Sequence, residues 1–322
     1  MSDAGTGPRV VSLGSVNVDR FHDVDRATVE RYAAAHEWFP AADETATVDR
    51  VPELDLPVDA VAHGGKGANQ AVAAAAAGAD AAVFGRVGHD AAEAGVFDAL
   101  VDAGVDVGRL EVADVPTGTA HVVREPDGRN RILVAAGANG TVDAAYVDRI
   151  ADAVAAADCL LLQNEIPVPP VRDLLGRLAD RADRPTVVLD PSPVDGVEPL
   201  VERAAVDYCT PNEHEYDHLA ATLAASDGVL VRTHGPAPVV VERDGEAVEV
   251  SPPSVDAADT TGAGDVLVGY LGTRLAAGAD LRTAVADAVV AASLSVRDAG
   301  ARGGVPALSA VRAFREASDG AG

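Results

Sequence analysis

Short apolar runs alternate with alanine-rich helical stretches along most of this chain. That alternation restricts it to an α/β architecture with a mostly parallel sheet. The first run covers residues 9–14. A glycine-rich turn at 64–67 opens a helical stretch reaching Ala77, and a run at 82–87 precedes a helix predicted over 91–103. Runs at 159–162, 186–189, 206–209 and 229–231 predict buried strands. Further helices are predicted from Thr141 and Asp143 to Ala157, over 262–277 and over 281–296. Two hairpins break the pattern: 121–124 with 131–135 around Pro126-Asp127-Gly128, and 239–241 with 248–250 around Asp244-Gly245. The stretch 20–62 is polar, interrupted by Pro40, Pro52 and Pro57, and has no period. It reads as an appendage forming a lid with the first hairpin, the alternative being a disordered insertion.

Composition narrows the function classes. An apolar share of 48% over 322 residues can bury a large core, yet no apolar window is long enough for a membrane span. The first ten residues lack the apolar segment of a secretory signal, so the expected compartment is the cytoplasm. Cys159 and Cys209 lie in apolar runs and read as core thiols. With 51 acidic against 25 basic residues the net charge is −26, which repels nucleic-acid backbones. The acids are scattered rather than gathered in a tail, which suggests adaptation to very high salt. Lysine and side-chain amides are scarce: Lys66 is the single lysine, Gln70 and Gln163 the two glutamines, and Asn17, Asn69, Asn130, Asn139, Asn164 and Asn212 the six asparagines. Each one retained is a better functional candidate than usual.

Three segments carry chemistry. The string Asp259-Thr260-Thr261-Gly262-Ala263-Gly264-Asp265 stands directly before an apolar helix. Small residues there let a backbone approach a phosphate. The first helical amides have no intrahelical partner and make an anion hole from Gly262, Ala263 and Gly264. Asp265, in the first turn, can accept the proton of a hydroxyl attacking that phosphate, a task a weak base performs when proton transfer is late. The bland alternative is an acidic helix cap. The second segment, Gly64-Gly65-Lys66-Gly67-Ala68-Asn69-Gln70, is not a Walker A loop, since no Ser or Thr follows Lys66. Its Lys66 and Asn69 suit sugar hydroxyls. The third, Gly14-Ser15-Val16-Asn17-Val18-Asp19, follows the first strand, where ligands of open α/β sheets bind. Asn17 and Asp19 alternate with valines and can share a face, although caps and turns use the same residues.

These strings resemble both signatures of the ribokinase-like (PfkB) family of carbohydrate kinases, with Gly137-Ala138-Asn139, Leu162-Gln163-Asn164-Glu165 and Thr210-Pro211-Asn212-Glu213 adding to the likeness. The resemblance implies a three-layer ribokinase-like α/β fold: a central mostly parallel sheet, helices on both faces and a small β lid. The implied units are core at 1–19, lid at 20–63, core at 64–115, lid hairpin at 116–138, and core with the nucleotide-binding half at 139–322. It implies an ATP-dependent sugar kinase with Asp265 as catalytic base. Asn17, Asp19, Gly65, Lys66, Asn69 and Glu165 would hold the sugar, and Asn212, Thr233 and Gly235 would lie by ATP. Glu215 would place Mg²⁺ through water, and Asp259 and Thr261 fall where the family has a monovalent cation site that K⁺ fits. A ribose-like substrate is favoured over fructose or a nucleoside. A homodimer through the lid is also implied. The 20–63 segment is longer than is typical of such kinases, 216–229 is shorter, and Pro238 stands where a glycine is usual.

Two rival classes remain open at this level. His214-Glu215-Tyr216-Asp217-His218 fits the H-E-x-x-H string of zinc hydrolases. The other rival is a sugar-binding protein that has lost catalysis. A nicotinamide enzyme is disfavoured because no G-x-G-x-x-G follows the first strand.

Overall fold

Strands β1 (Arg9–Leu13) and β9 (Cys159–Leu162) are almost wholly buried because helices cover both of their faces. Leu160 and Leu162 point into one core while Cys159 and Leu161 point into the other, the period-two alternation of a strand inside an unbroken apolar run. The computed structural model describes residues 7–42, 44–48, 54–127 and 129–319. Gly128 of the first predicted turn, Pro52, and the terminal residues 1–6 and 320–322 lie outside it.

The main sheet runs β14 (Glu246–Val250), β13 (Ala237–Arg243), β12 (Val229–His234), β11 (Tyr208–Cys209), β10 (Thr186–Leu189), β9, β1, β5 (Asp80–Gly88), β6 (Val105–Ala113). From β6 to β12 every pairing is parallel; β13 and β14 add an antiparallel edge. Helices α4 (Ala144–Ala155), α5 (Val168–Ala179), α6 (Glu198–Val201) and α7 (Glu213–Leu223) pack on one face. The other carries α2 (Lys66–Ala76), α3 (Val96–Asp102), α8 (Ala263–Ala276), α9 (Leu281–Ser295) and α10 (Leu308–Asp319). Each fully buried leucine in these layers is worth about 1.5–3 kcal/mol relative to exposure. The helix predicted over 91–103 is shorter than expected, because Gly95 adopts φ +71 and the chain turns there before α3 begins. Among the described residues no helix is long and apolar enough to cross a membrane.

A second sheet runs β3 (Thr45–Val48), β8 (Asn130–Ala135), β7 (Thr119–Arg124), β2 (Asn17–Asp23), β4 (Ala60–Gly64). Residues 17–19 were assigned to the core unit 1–19. Instead β2 leaves the main sheet and pairs with β4 and β7. The aperiodic stretch supplies most of β2, α1 (Arg26–Ala35, N-capped by Asp25), β3 and most of β4. Its apolar residues are few and far apart in sequence: Val24, Val29, Tyr32 and Phe39 meet Val123 and Leu133 of the hairpin. A core built from residues a hundred positions apart leaves no local period to read.

Candidate active site

All the polar groups singled out around the sugar side lie beyond the carboxyl ends of β1, β9 and β10 or on α2 and α8. Gly262 N-caps α8 at φ +80, and a Cβ there would meet the Ala301 backbone at 2.8 Å, so only glycine fits. Helices α2 and α8 approach closely because Gly269 has no side chain; a Cβ on it would lie 2.6 Å from the Ala73 Cβ. That contact sets Asp265, 5% exposed, beside the start of α2. Asn69 Nδ2 donates to Asp265 Oδ2 at 3.0 Å and Gln70 Nε2 to Asp265 Oδ1 at 3.2 Å. The 259–265 string and the helix that opens at Lys66 therefore lie side by side. Of the predicted anion-hole residues, Ala263 donates its amide to the Thr260 carbonyl at 3.3 Å, while a Cβ added to Gly264 would meet open space.

The Lys66 turn is fixed by backbone proximity. Gly65 sits at φ +87, and a Cβ on Gly67 would lie 2.6–2.8 Å from the Gly14 and Ser15 backbone. Lys66 Nζ stands 3.6 Å from Asp190 Oδ2, at the end of β10. Asp190 foremost holds the ammonium well above its ordinary range, with burial acting against it. Burial pushes the Asp190 carboxyl up to about 7, and Lys66 pulls it down. Gln70 Nε2 also donates to Asp190 Oδ2 at 3.1 Å, so one amide bridges Asp190 and Asp265. Gln163 Nε2 donates to Gln70 Oε1, which joins the two glutamines of the chain. Glu165 Oε2 accepts from the Lys66 amide at 3.1 Å and from the Ser15 hydroxyl.

On β2, Val18 turns into the core while Asn17 and Asp19 share the other face. The β2–β4 register sets Asn17 opposite Gly64, one residue from the turn. Asn17 Oδ1 accepts from Asn139 Nδ2 at 2.8 Å, and Asn139 Oδ1 accepts from the Val16 amide at 2.9 Å. Burial raises the Asp19 carboxyl to about 6, opposed by the Ala120 amide that it accepts at 3.2 Å. A Cβ on Gly64 would lie 2.1 Å from Asp19 Oδ2.

The nucleotide-side candidates form a second group. Asn212 N-caps α7 in a capping box: Glu215 accepts from the Asn212 amide and from Asn212 Nδ2, both at 2.8 Å, and Asn212 Oδ1 accepts from the Glu215 amide at 2.9 Å. An isolated parallel bridge joins Asn212 to Thr233 at the end of β12. Gly235, at φ +57, makes the turn into β13, where His234 Nδ1 contacts the Pro238 carbonyl at 3.1 Å. Glu215 is buried and acts electrostatically on both Lys66 and Asp190, which ties the two groups to one region. His214 and His218 are exposed, whereas Glu215 is consumed inward by the cap, so the H-E-x-x-H string is a helix start. Asp259 Oδ1 accepts from the Thr261 amide at 2.9 Å and Oδ2 from the Gly300 amide at 2.8 Å. Burial opposes its charge, but these donors hold the carboxyl below its ordinary range. An open cleft of about 420 Å³ at the amino ends of β10–β12 contains none of these residues.

Several site residues escaped sequence reasoning. Asp190 follows the run 186–189 as Asn17 and Asp19 follow the first, and the same strand-end rule finds it. Gln70, Gln163 and Asn139 were marked by the scarcity of amides and by the quoted strings, without a role. Arg302 was unmarked: it is one arginine among 24, yet its Nε donates to Asn69 Oδ1 and its Nη2 to the Gly64 carbonyl, both at 2.8 Å.

A carboxylate beside a glycine-bounded helix start, at the carboxyl ends of a parallel sheet, is the arrangement of a phosphotransferase acting on small molecules. The family model for pfkB family carbohydrate kinases matches residues 59–308. The chain is 36% identical to a ribokinase of Bacillus subtilis over 257 residues, 77% of this chain and 86% of the relative. It superposes on the crystal structure of a Thermotoga maritima ribokinase with a TM-score of 0.78 at 27% identity, covering 96% of this chain and 99% of that one. An Arabidopsis thaliana ribokinase solved with ribose and ATP gives a TM-score of 0.77 at 25% identity, covering 96% and 99%. The chain belongs to the pfkB family of carbohydrate kinases.

Proposed function

We propose that this protein transfers the γ-phosphate of ATP to a hydroxyl of ribose or a closely ribose-like sugar. The observation that carries this reading is Asp265: a buried carboxylate in the first turn of a glycine-bounded helix, held by two amide donors from the helix that opens at Lys66. Asp265 accepts the hydroxyl proton as the phosphoryl group departs from ADP, and the amides of Gly262 and Gly264 donate to the phosphate oxygens, joined by Ala263 when its long contact to the Thr260 carbonyl is exchanged for phosphate. Asn17 and Asp19 present acceptors and donors to the sugar. Lys66 and Asn69, which the sequence reading assigned to direct sugar contacts, are already engaged with Asp190 and Asp265, and they order the floor of the sugar site. Glu165 likewise anchors Lys66 and Ser15.

ATP lies along Asn212, Thr233 and Gly235. The carboxylates of Glu215 and Asp190 suit the hydrated Mg²⁺ that accompanies it, an ion that neutralises charge on the phosphates. Asp259, ionised and next to the helix start, fits K⁺ together with Thr261. The small sheet acts as the lid, excluding water as a competing acceptor and offering a homodimer contact. The surface charge suits a salt-rich cytoplasm, so thermal stability should rise with KCl.

A coupled ADP-release assay over a panel of pentoses, fructose and nucleosides tests the substrate. Asp265→Asn is expected to lower kcat by about 10²–10⁴-fold with the sugar Kd, by calorimetry, little changed. Near-normal turnover in that variant removes the base assignment.

A further inference from the structure

Arg302 touches neither phosphate-binding glycine nor proposed base, yet it decides which way Asn69 faces. The Asn69 amide sits between two groups of opposite kind. Arg302 is donor-only and lies 2.8 Å from Asn69 Oδ1. The Asp265 carboxylate accepts, and its Oδ2 lies 3.0 Å from Asn69 Nδ2. Only one of the two amide orientations satisfies both; the flipped one sets oxygen against carboxylate and nitrogen against guanidinium.

We propose that Arg302 is a positioning residue for phosphoryl transfer, locking the Asn69 amide so that it holds the Asp265 carboxylate in line with the sugar hydroxyl. This rests on the kinase reading above. A second Arg302 contact, to the Gly64 carbonyl at 2.8 Å, ties the same guanidinium to the end of β4 and the start of the Lys66 turn. Its neighbours brace two more pieces of the site: the Gly300 amide binds Asp259, and Ala301 fills the space beside Gly262. One short segment after α9 thereby clamps two segments that are distant in the chain, 64–69 and 259–262. Burial pulls the Arg302 guanidinium down to about 10, against the carboxylates of Asp19 and Asp265, and leaves it charged at neutral pH.

The test is a double-variant cycle in the ADP-release assay, with melting temperature as the check on folding. Arg302→Met is expected to lower kcat by about 10- to 100-fold while the sugar KM moves less than about threefold. In an Asn69→Ala background the same change should lower kcat by less than about twofold, because the group it acts through is gone. Arg302→Lys should fall between, since an ammonium reaches one of the two acceptors but not both. If Arg302→Met does not fold, Arg302→Lys carries the same cycle. The proposal is overturned if kcat stays within about twofold of wild type, if the loss lies in KM alone, or if the full loss recurs without Asn69. A wild type with no turnover on any sugar overturns the kinase reading and the proposal with it, which separates the two failures.

Discussion

The two sheets of this molecule divide its labour. The nine-stranded sheet is buried on both faces at its centre, where its strands divide their side chains between two cores, while β6 and β14 at its edges are largely exposed. The five-stranded sheet has one modest core, made by α1, Trp38 and Phe39 against β7 and β8, and leaves β4 exposed over Ala60, Val61 and Ala62. Yet the small sheet carries two of the proposed sugar-binding residues, because its β2–β4 register brings Asn17 and Asp19 to the Gly64 turn. The main sheet and its helices carry most of the buried core together with Asp265, Asp190 and Glu165, and the small sheet adds Asn17 and Asp19. A sheet that must open and close over a ligand is expected to come from the low-stability end of a structure.

The strongest way to break this division is to cut both cores equally. Leu161, fully buried in β9, packs so closely on α8 that a Cβ on Gly272 would lie 2.5 Å from its Cδ2. Leu161→Ala should cost about 3–5 kcal/mol in urea unfolding, with kcat and the sugar KM of the folded fraction little altered. Leu133→Ala, in the small sheet, should cost less, about 2 kcal/mol, and raise the sugar KM instead. Equal costs with unchanged KM for both would show that the sheets act as one body.

Gly64→Ala sharpens the comparison without touching either core. The added Cβ collides with the Asp19 carboxylate, the movable end of a side chain. Stability should change by less than about 1 kcal/mol, while the sugar KM rises by about tenfold. Calorimetry with sugar and with nucleotide separates the two sites, and nucleotide affinity should hold.

The smallest effect concerns pH. In the small sheet His22 Nε2 and His121 Nδ1 are 2.9 Å apart, with their rings stacked at 5.1 Å. Burial, aided by His22 and Arg20, lowers the His121 imidazole to about 4. The folded state therefore binds this proton less tightly than the unfolded chain. The contribution of His121 is fully present above its ordinary value of 6.5 and is lost as pH falls from there towards 4. Asp19 and Asp190 have raised values and run the other way, losing stability as pH rises through about 6 and about 7. Only the difference between wild type and His121→Gln isolates the histidine. That difference should shrink as pH drops from 6.5, read from melting temperatures in matched buffers.

What the sequence determined by itself is an α/β main sheet with all its strands but β6, the helices α2, α3, α4, α8 and α9, and a glycine-bounded helix start before Asp265. Apolar runs, glycine turns and a carboxylate seven residues into one string are local features, and local features are what a linear reading can weigh. It also marked Lys66, Gln70, Gln163, Asn69 and Asn139 through scarcity, since a chain nearly free of lysine and amides keeps few of them by chance. The tertiary structure alone decided how those groups are spent: Lys66 on Asp190, Asn69 between Asp265 and Arg302, Glu215 in a helix cap. The sequence joined the stretch 20–62 to the first hairpin as a lid, but only the tertiary structure supplied the strand order β3-β8-β7-β2-β4. Hydrogen-bond partners are chosen by proximity and by donor–acceptor fit, and neither is written in the neighbouring residues. Arginine was too common here for position 302 to stand out before the fold brought it to Asn69.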